Sequence, residues 1–191
     1  MGKLTLVLGG VRSGKSSYAE QLVRESGGDH VLYVATAWAG DDEMRERVRK
    51  HQQSRPAAWR TLEAPENVGS AVMTSAGDAK AILIDCLTVL VANYLLAVAG
   101  PEDDPFGEPS ADPFQVAIEE RVKAEVESIA ACTRQLTADV VVVSNEVGMG
   151  VVPPYDLGRA YRDLLGRANQ IMAGHADEVY LLVAGIPMKI K

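Results

Sequence analysis

A short glycine-containing segment between an apolar run and a helix-forming run constrains this chain more than any other feature. Residues 9–16 read GGVRSGKS, directly after the apolar residues 4–8 and before a helical pattern over 16–25. The segment fits GxxxxGK[ST], in which glycines let successive backbone N–H groups turn inward. A helix that begins there adds a partial positive charge of about half a unit. The chain must therefore fold around a strand, a glycine loop and a helix in that order.

Inward N–H groups at a helix N-terminus are suited to bind phosphate, so the segment predicts a nucleoside triphosphate site. The Lys15 ammonium would lie between the β- and γ-phosphates, which makes it a catalytic candidate, and the Ser16 hydroxyl would coordinate Mg²⁺. The predicted phosphate-binding residues are Gly9, Gly10, Val11, Arg12, Ser13, Gly14, Lys15 and Ser16.

Apolar, strand-length runs alternate with amphipathic, helix-length segments along all 191 residues. We expect buried strands over 4–8, 31–35, 81–84, 140–144 and 179–183, and a short last strand near the end. We expect helices over 16–25, 42–55, 87–98, 114–136 and 157–173. This alternation predicts an α/β fold: a doubly wound, mostly parallel sheet of the P-loop NTPase type in one domain, 1–191.

Residues 100–113 interrupt the alternation with four prolines, two glycines and five acids. So many helix and strand breakers predict an acidic surface loop. A solvated connection and a substrate lid would look the same in sequence, so no function is assigned to this loop.

Charge and composition exclude several classes of function. A net charge of -7 opposes binding of nucleic acid or of anionic membranes. The apolar runs are far shorter than the roughly 20 residues that span a bilayer, and the first ten residues do not resemble a signal peptide. Cys86 and Cys132 lack CxxC or Cys/His spacing, which argues for a reducing compartment and against zinc. We expect a cytoplasmic protein.

Asp85 ends the apolar run 81–84 with a carboxylate. A phosphate loop needs an acid on a nearby strand to hold the magnesium shell, and Asp85 is the candidate for this role. Since a helix is predicted from residue 87, capping of that helix is the alternative.

His51 belongs to the predicted helix 42–55, on the stripe that also carries Met44, Val48 and Arg55 at three- and four-residue spacing. A histidine on such a stripe faces either the protein interior or a cleft. Taken alone, the pattern is more typical of a hydrogen-bonded core histidine than of a catalytic one.

The segment 51–63, HQQSRPAAWRTLE, resembles the HxxxRPxxWxTxE segment of the bifunctional adenosylcobinamide kinase/adenosylcobinamide-phosphate guanylyltransferases. The resemblance extends through the phosphate loop and through blocks along the whole chain, apart from 65–80 and 100–113. The matching blocks outside the two motifs are 33–37, 41–44, 85–88, 144–153, 166–170 and 185–191.

This resemblance implies two reactions that use Mg²⁺ and a nucleoside triphosphate. The phosphate donor of the first is ATP or GTP, and the substrate of the second is GTP. The first phosphorylates adenosylcobinamide, and the second transfers GMP from GTP to that phosphate through a guanylylated histidine, which matches His51. Neutral imidazole is chemically able to attack the α-phosphorus and form a phosphoramidate. The family also implies a homotrimer and a corrinoid partner.

The resemblance implies further nucleotide contacts. They fall on Ala35, Thr36 and Ala37, on Gln52, Gln53, Ser54 and Arg55, and on Glu63. A carboxylate such as Glu63 can accept hydrogen bonds from guanine N1–H and the exocyclic amine together. The alternative for Glu63 is a surface acid at the end of a short strand.

The segment 145–150, NEVGMG, follows the strand 140–144 at the end where open α/β sheets bind their ligands. The segment could equally be a glycine-rich turn. Glu146 could assist the substrate hydroxyl or the metal, and the sequence does not decide between them. Two other functions stay open: a plain small-molecule kinase in which His51 is structural, and a nucleotide-dependent switch.

Overall fold

A single seven-stranded sheet organises the computed structural model, which describes residues 1–37, 56–97 and 113–191. Six strands are parallel and the last is antiparallel to its neighbour, in the order β3-β2-β4-β5-β1-β6-β7. The strands are β1 (Leu4–Gly9), β2 (Val31–Ala35), β3 (Arg60–Glu63), β4 (Ala81–Asp85), β5 (Asp139–Asn145), β6 (Glu178–Val183) and β7 (Ile186–Lys189). The predicted α/β class with a mostly parallel sheet is confirmed.

Helices cover both faces of the sheet. The described helices are α1 (Lys15–Gly27), α2 (Val68–Ser75), α3 (Leu87–Leu96), α4 (Pro113–Thr133) and α5 (Asp156–His175). Helix α1 packs over β4 and β5, where Ala19 and Val23 meet Leu83, Val141 and Val143. Helices α2 to α5 enclose the larger core on the opposite face. The fold is therefore doubly wound.

The connections that leave β1 and β5 run in opposite directions. Helix α1 follows β1 and leads to β2 on one side, whereas α5 follows β5 and leads to β6 on the other. These strands are neighbours, with Gly9 paired to Asn145 at their carboxyl ends. Open α/β sheets bind ligands at such a reversal of strand order, which places a ligand site beside Gly9 and Asn145.

Several predicted boundaries shift by one to three residues. The helix predicted over 87–98 ends at Leu96, and the helix predicted over 114–136 runs from Pro113 to Thr133. Pro113, assigned to the acidic loop, instead opens α4, as its fixed φ allows. The predicted helix 42–55, with His51, and the remainder of the acidic loop lie outside the described residues.

A buried carboxylate supports helix α2, which the sequence did not predict. Glu125 of α4 is 7% exposed and accepts hydrogen bonds from Val68 N at 2.6 Å and from Tyr94 Oη at 2.7 Å. It thereby satisfies one of the free N–H groups at the start of α2. None of the described helices is both long enough and apolar enough to cross a membrane.

Candidate nucleotide-binding site

The predicted phosphate loop lies between β1 and α1. Gly14 immediately precedes the helix with φ 92°, a conformation that favours glycine. A Cβ on Gly9 would clash with Ser13 Oγ and lie 2.9 Å from the Leu182 carbonyl oxygen, so the loop closes only around glycine there. Lys15 Nζ donates a hydrogen bond to Gly10 O at 3.3 Å. The loop folds back on itself, and the Lys15 side chain bonds to the loop backbone. This is the geometry that the motif requires.

The turn between β6 and β7 supports this loop from outside. Gly185, at φ 82°, donates its N–H to Ser13 O at 2.9 Å. A Cβ on Gly14 would lie only 3.1 Å from the Gly185 Cα, so the two backbones are in close contact. The phosphate loop is therefore held by the last hairpin as well as by its own strand and helix.

Asp85 ends β4 on the α1 face of the sheet, the same face as Leu83. Its Oδ2 accepts a hydrogen bond from Tyr33 Oη at 2.7 Å, which fixes the carboxylate. The predicted alternative, a helix cap, is wrong, because the N-cap of α3 is Cys86 and not Asp85. The magnesium role of Asp85 stays a prediction.

Thr36 joins the ends of β2 and β4. It is fully buried, its Oγ1 both donates to Cys86 O and accepts from Cys86 N at 2.8 Å, and its N–H donates to Asp85 O at 3.1 Å. Its carbonyl accepts from Asn93 Nδ2 at 2.8 Å. The side chain of Thr36 is thus committed to fixing the backbone around Asp85, and any contact with nucleotide would come from the backbone nearby.

Glu63 ends β3 at the edge of the sheet and is exposed, while Ala35 pairs with both Glu63 and Asp85. Four strand spacings of about 4.8 Å, or about 19 Å, separate Glu63 from Gly9 across the sheet. Glu63 therefore lies at the carboxyl ends of the strands, as the phosphate loop does, but on the edge strand four positions away. Only an extended ligand could contact both.

Two polar atoms beside Gly9 are buried without a hydrogen-bond partner in the described part of the chain: Ser13 Oγ and Asn145 Oδ1. An unpaired buried polar group costs about 1–3 kcal/mol, and in native structures it often marks a catalytic or binding position. Glu146, by contrast, accepts a hydrogen bond from Gly148 N at 2.8 Å. The sequence singled out Glu146 in the segment 145–150, whereas the unpaired polar atom belongs to the side-chain amide of its neighbour, Asn145.

Cys86, next to Asp85, is not available as a nucleophile. Burial of the thiol, together with the negative charge of Asp85, raises the pKa of Cys86 to about 11. A thiol with such a pKa stays protonated at neutral pH, and the thiolate is the reactive form.

The structure brings together the phosphate loop (9–16), Ala35, Thr36, Ala37 and Asp85 at one edge, with Glu63 farther along it. His51, Gln52, Gln53, Ser54 and Arg55 lie outside the described residues, so their predicted roles stay predictions. The sequence placed Tyr33, Asn145 and Gly185 in matching blocks, and Asn145 in a possible ligand-binding segment, but assigned no role to any of them. Their roles depend on residues distant in sequence: Tyr33 bonds to Asp85, Gly185 to Ser13, and Asn145 pairs with Gly9.

A P-loop at the switch point of a parallel sheet, with a fixed carboxylate two strands away, defines a nucleotide-binding protein of the P-loop class. Residues 5–190 match the family described as cobinamide kinase / cobinamide phosphate guanyltransferase. The chain belongs to this family, as its resemblance to the family's motifs predicted.

Three relatives match over almost their whole length. The bifunctional adenosylcobalamin biosynthesis protein CobU of Escherichia coli (strain K12) is 42% identical over 188 residues, 98% of this chain and 99% of that protein. The protein of the same name from Salmonella typhimurium is 43% identical, with the same coverage. The bifunctional adenosylcobalamin biosynthesis protein CobP of Pseudomonas aeruginosa is 41% identical over 186 residues, 97% of this chain and 96% of that protein.

Proposed function

We propose that this chain phosphorylates adenosylcobinamide and then transfers GMP from GTP to the resulting phosphate, giving adenosylcobinamide-GDP. The observation that carries the proposal is a complete phosphate loop, with Asp85 at the end of β4 two strands away, in a chain that matches the bifunctional family over residues 5–190. We further propose that it works in the cytoplasm as a homotrimer, in line with the expectations from composition and family resemblance.

The kinase step needs a cradle for the triphosphate and a neutralising charge. The loop N–H groups and the start of α1 would hold the β- and γ-phosphates, and Lys15 would move from Gly10 O to the phosphate oxygens. Ser16, in the first turn of α1, and Asp85, fixed by Tyr33, supply the hydroxyl and carboxylate oxygens that Mg²⁺ prefers. Bound there, Mg²⁺ would neutralise charge on the transferred phosphoryl group.

The guanylyl transfer needs a nucleophile, which we assign to His51. The neutral imidazole attacks the α-phosphorus of GTP, the bond to pyrophosphate breaks, and GMP remains on the ring nitrogen. The phosphate of adenosylcobinamide phosphate then attacks the same phosphorus and releases His51. Lys15 and the loop would stabilise the polyphosphate in both reactions, so one phosphate site serves both.

Product analysis after incubation with GTP and magnesium, with and without adenosylcobinamide, tests this function. We expect adenosylcobinamide phosphate first and adenosylcobinamide-GDP later. A plain kinase would stop at the phosphate, and a nucleotide switch would consume GTP without modifying the corrinoid. Repeating the first step with ATP shows which nucleotide is the preferred phosphate donor.

Asp85→Asn is expected to lower kinase turnover at limiting magnesium by about 10- to 100-fold, because the amide keeps the acceptor for Tyr33 but loses the charge. Its melting temperature should stay close to that of the wild type. Tyr33→Phe is the matched variant: it removes the hydrogen bond and keeps the carboxylate, so its loss should be smaller. Wild-type turnover of Asp85→Asn at limiting magnesium would remove Asp85 from the metal site.

Glu63→Gln is expected to weaken binding of guanine nucleotides by about tenfold or more and to leave ATP binding unchanged. The substitution replaces one acceptor oxygen with a donor that would face the donors of guanine. Titration of each nucleotide into the protein measures this, with Glu66→Gln, another exposed acid three residues away, as the control. Equal losses for ATP and GTP would show that Glu63 does not read the base.

A further inference from the structure

Asn145 lies at the carboxyl end of the strand between those of the phosphate loop and Asp85, two residues beyond Val143, the partner of Asp85. Strand β5 lies between β1 and β4, and its last residue, Asn145, pairs with Gly9. Side chains alternate along a strand, so Asn145 shares the α1 face with Val143, as Asp85 shares it with Leu83. Ser144 points to the other face, where its Oγ donates to Asn169 Oδ1 at 2.6 Å.

The backbone of Asn145 is fixed while its side-chain oxygen is unpaired. The N–H of Asn145 donates to Thr88 Oγ1 at 2.7 Å, and its carbonyl accepts from Asn169 Nδ2 at 3.0 Å. Its Oδ1 is buried and no described residue donates to it. Its strand partner Gly9 has no side chain, and the space where a Gly9 Cβ would lie is bordered by the unpaired hydroxyl of Ser13 and by the Leu182 carbonyl oxygen.

We propose that Asn145 Oδ1 accepts a hydrogen bond from an O–H group at the terminal phosphate of the bound nucleoside triphosphate. That group is either a water held on the phosphate or the substrate hydroxyl that attacks it. The contact belongs to the kinase step, since guanylyl transfer takes place at the α-phosphorus. A neutral amide positions the O–H group without taking its proton. The nucleotide affinities test this role whether or not the proposed function holds. Only the activity measurements rest on that function.

Asn145→Ala tests this role, because it removes the acceptor and leaves the backbone hydrogen bonds in place. Binding of a nonhydrolysable GTP analogue and of GDP is measured with magnesium and no corrinoid. Kinase turnover and labelling of the protein by GTP carrying α-phosphate label are measured in parallel. Asn145→Asp, which adds a negative charge near phosphate, should lose more than the alanine variant. Asn169→Ala, which disturbs the end of β5 from the other face, is the structural reference.

A roughly tenfold loss of analogue affinity with GDP affinity kept within about twofold identifies a water on the phosphate as the partner. Unchanged affinities, with kinase turnover reduced at least tenfold and protein labelling retained, identify the substrate hydroxyl. Parallel losses in all four measurements, as expected for Asn169→Ala, or no loss in any, would overturn the proposal. A wild-type protein that binds GTP but never phosphorylates the corrinoid would instead refute the proposed function, and the affinity comparison would still test Asn145.

Discussion

Lys15→Ala is expected to lower the turnover of both reactions by about 10²- to 10³-fold or more. This is the range seen when a single hydrogen-bond donor to the transition state is removed. The same ammonium would neutralise the polyphosphate in both reactions. The fold should survive, because the only hydrogen bond of Lys15 Nζ among the described residues goes to Gly10 O at 3.3 Å, within the loop itself. Turnover of each reaction and the melting temperature are the measurements.

Lys15→Arg should not restore activity, since a planar guanidinium fork does not replace a compact ammonium in a loop built around a point charge. Lys123→Ala, at a half-exposed position of α4, removes a lysine far from the loop and serves as the control. If Lys15→Ala kept normal guanylyl transfer, the two reactions would not share one phosphate site.

His51→Ala is expected to abolish guanylyl transfer and leave the kinase step intact. GTP labelled on the α-phosphate should label the wild-type protein, and the label should be released by acid but survive alkali. Protonation of the phosphoramidate nitrogen makes imidazole a good leaving group, which explains this stability pattern. Label on the γ-phosphate should not be retained. In His51→Ala the substrate hydroxyl still attacks the γ-phosphorus, so phosphorylation continues.

The two other histidines provide matched controls. His30 Nδ1 lies 3.0 Å from Asp78 Oδ2, and His175 Nδ1 lies 2.9 Å from Arg134 Nη2, so each has a structural partner. His30→Ala and His175→Ala should retain the label. A wild-type protein that forms the GDP-linked product without ever being labelled would mean direct transfer, and His51 would then be the core histidine that its helical stripe suggests.

Four of the predicted strands, β1, β2, β4 and β5, are buried apolar runs, because parallel strands are covered on both faces. The strand predicted over 179–183 also forms, as β6, but it is only partly buried and Val183 is 53% exposed. Helix α2 has no such pattern: its N-cap, Asn67, makes no side-chain cap, and its first N–H is satisfied by Glu125, 57 residues away from Val68. The apolar stripe of α2 and its C-cap, Val68, Ala71, Val72 and Ala76, is short, so without the contact to Glu125 the sequence carries only a weak helix signal.

The same distinction holds at the site. The phosphate loop could be predicted because its conformation depends on its own glycines and on the strand and helix beside it. The hydrogen bond between Tyr33 and Asp85, 52 residues apart, and the register of Gly9 with Asn145 arise from strand order. Sequence reasoning placed Asp85 correctly at a strand end, but only the structure distinguishes a carboxylate held by Tyr33 from a helix cap.

Strand β1 has consequences for synthesis of the chain, because both its neighbours, β5 and β6, are translated long after it. About 130 residues separate Gly9 from Asp139, so at 5–20 residues per second β1 waits roughly 7–26 s on the ribosome for its first partner. During that interval an apolar strand is unpaired and a target for chaperones. The hydrogen bond from the Gly185 N–H to the Ser13 carbonyl forms later still, so the last hairpin can support the phosphate loop only once residue 185 has been made.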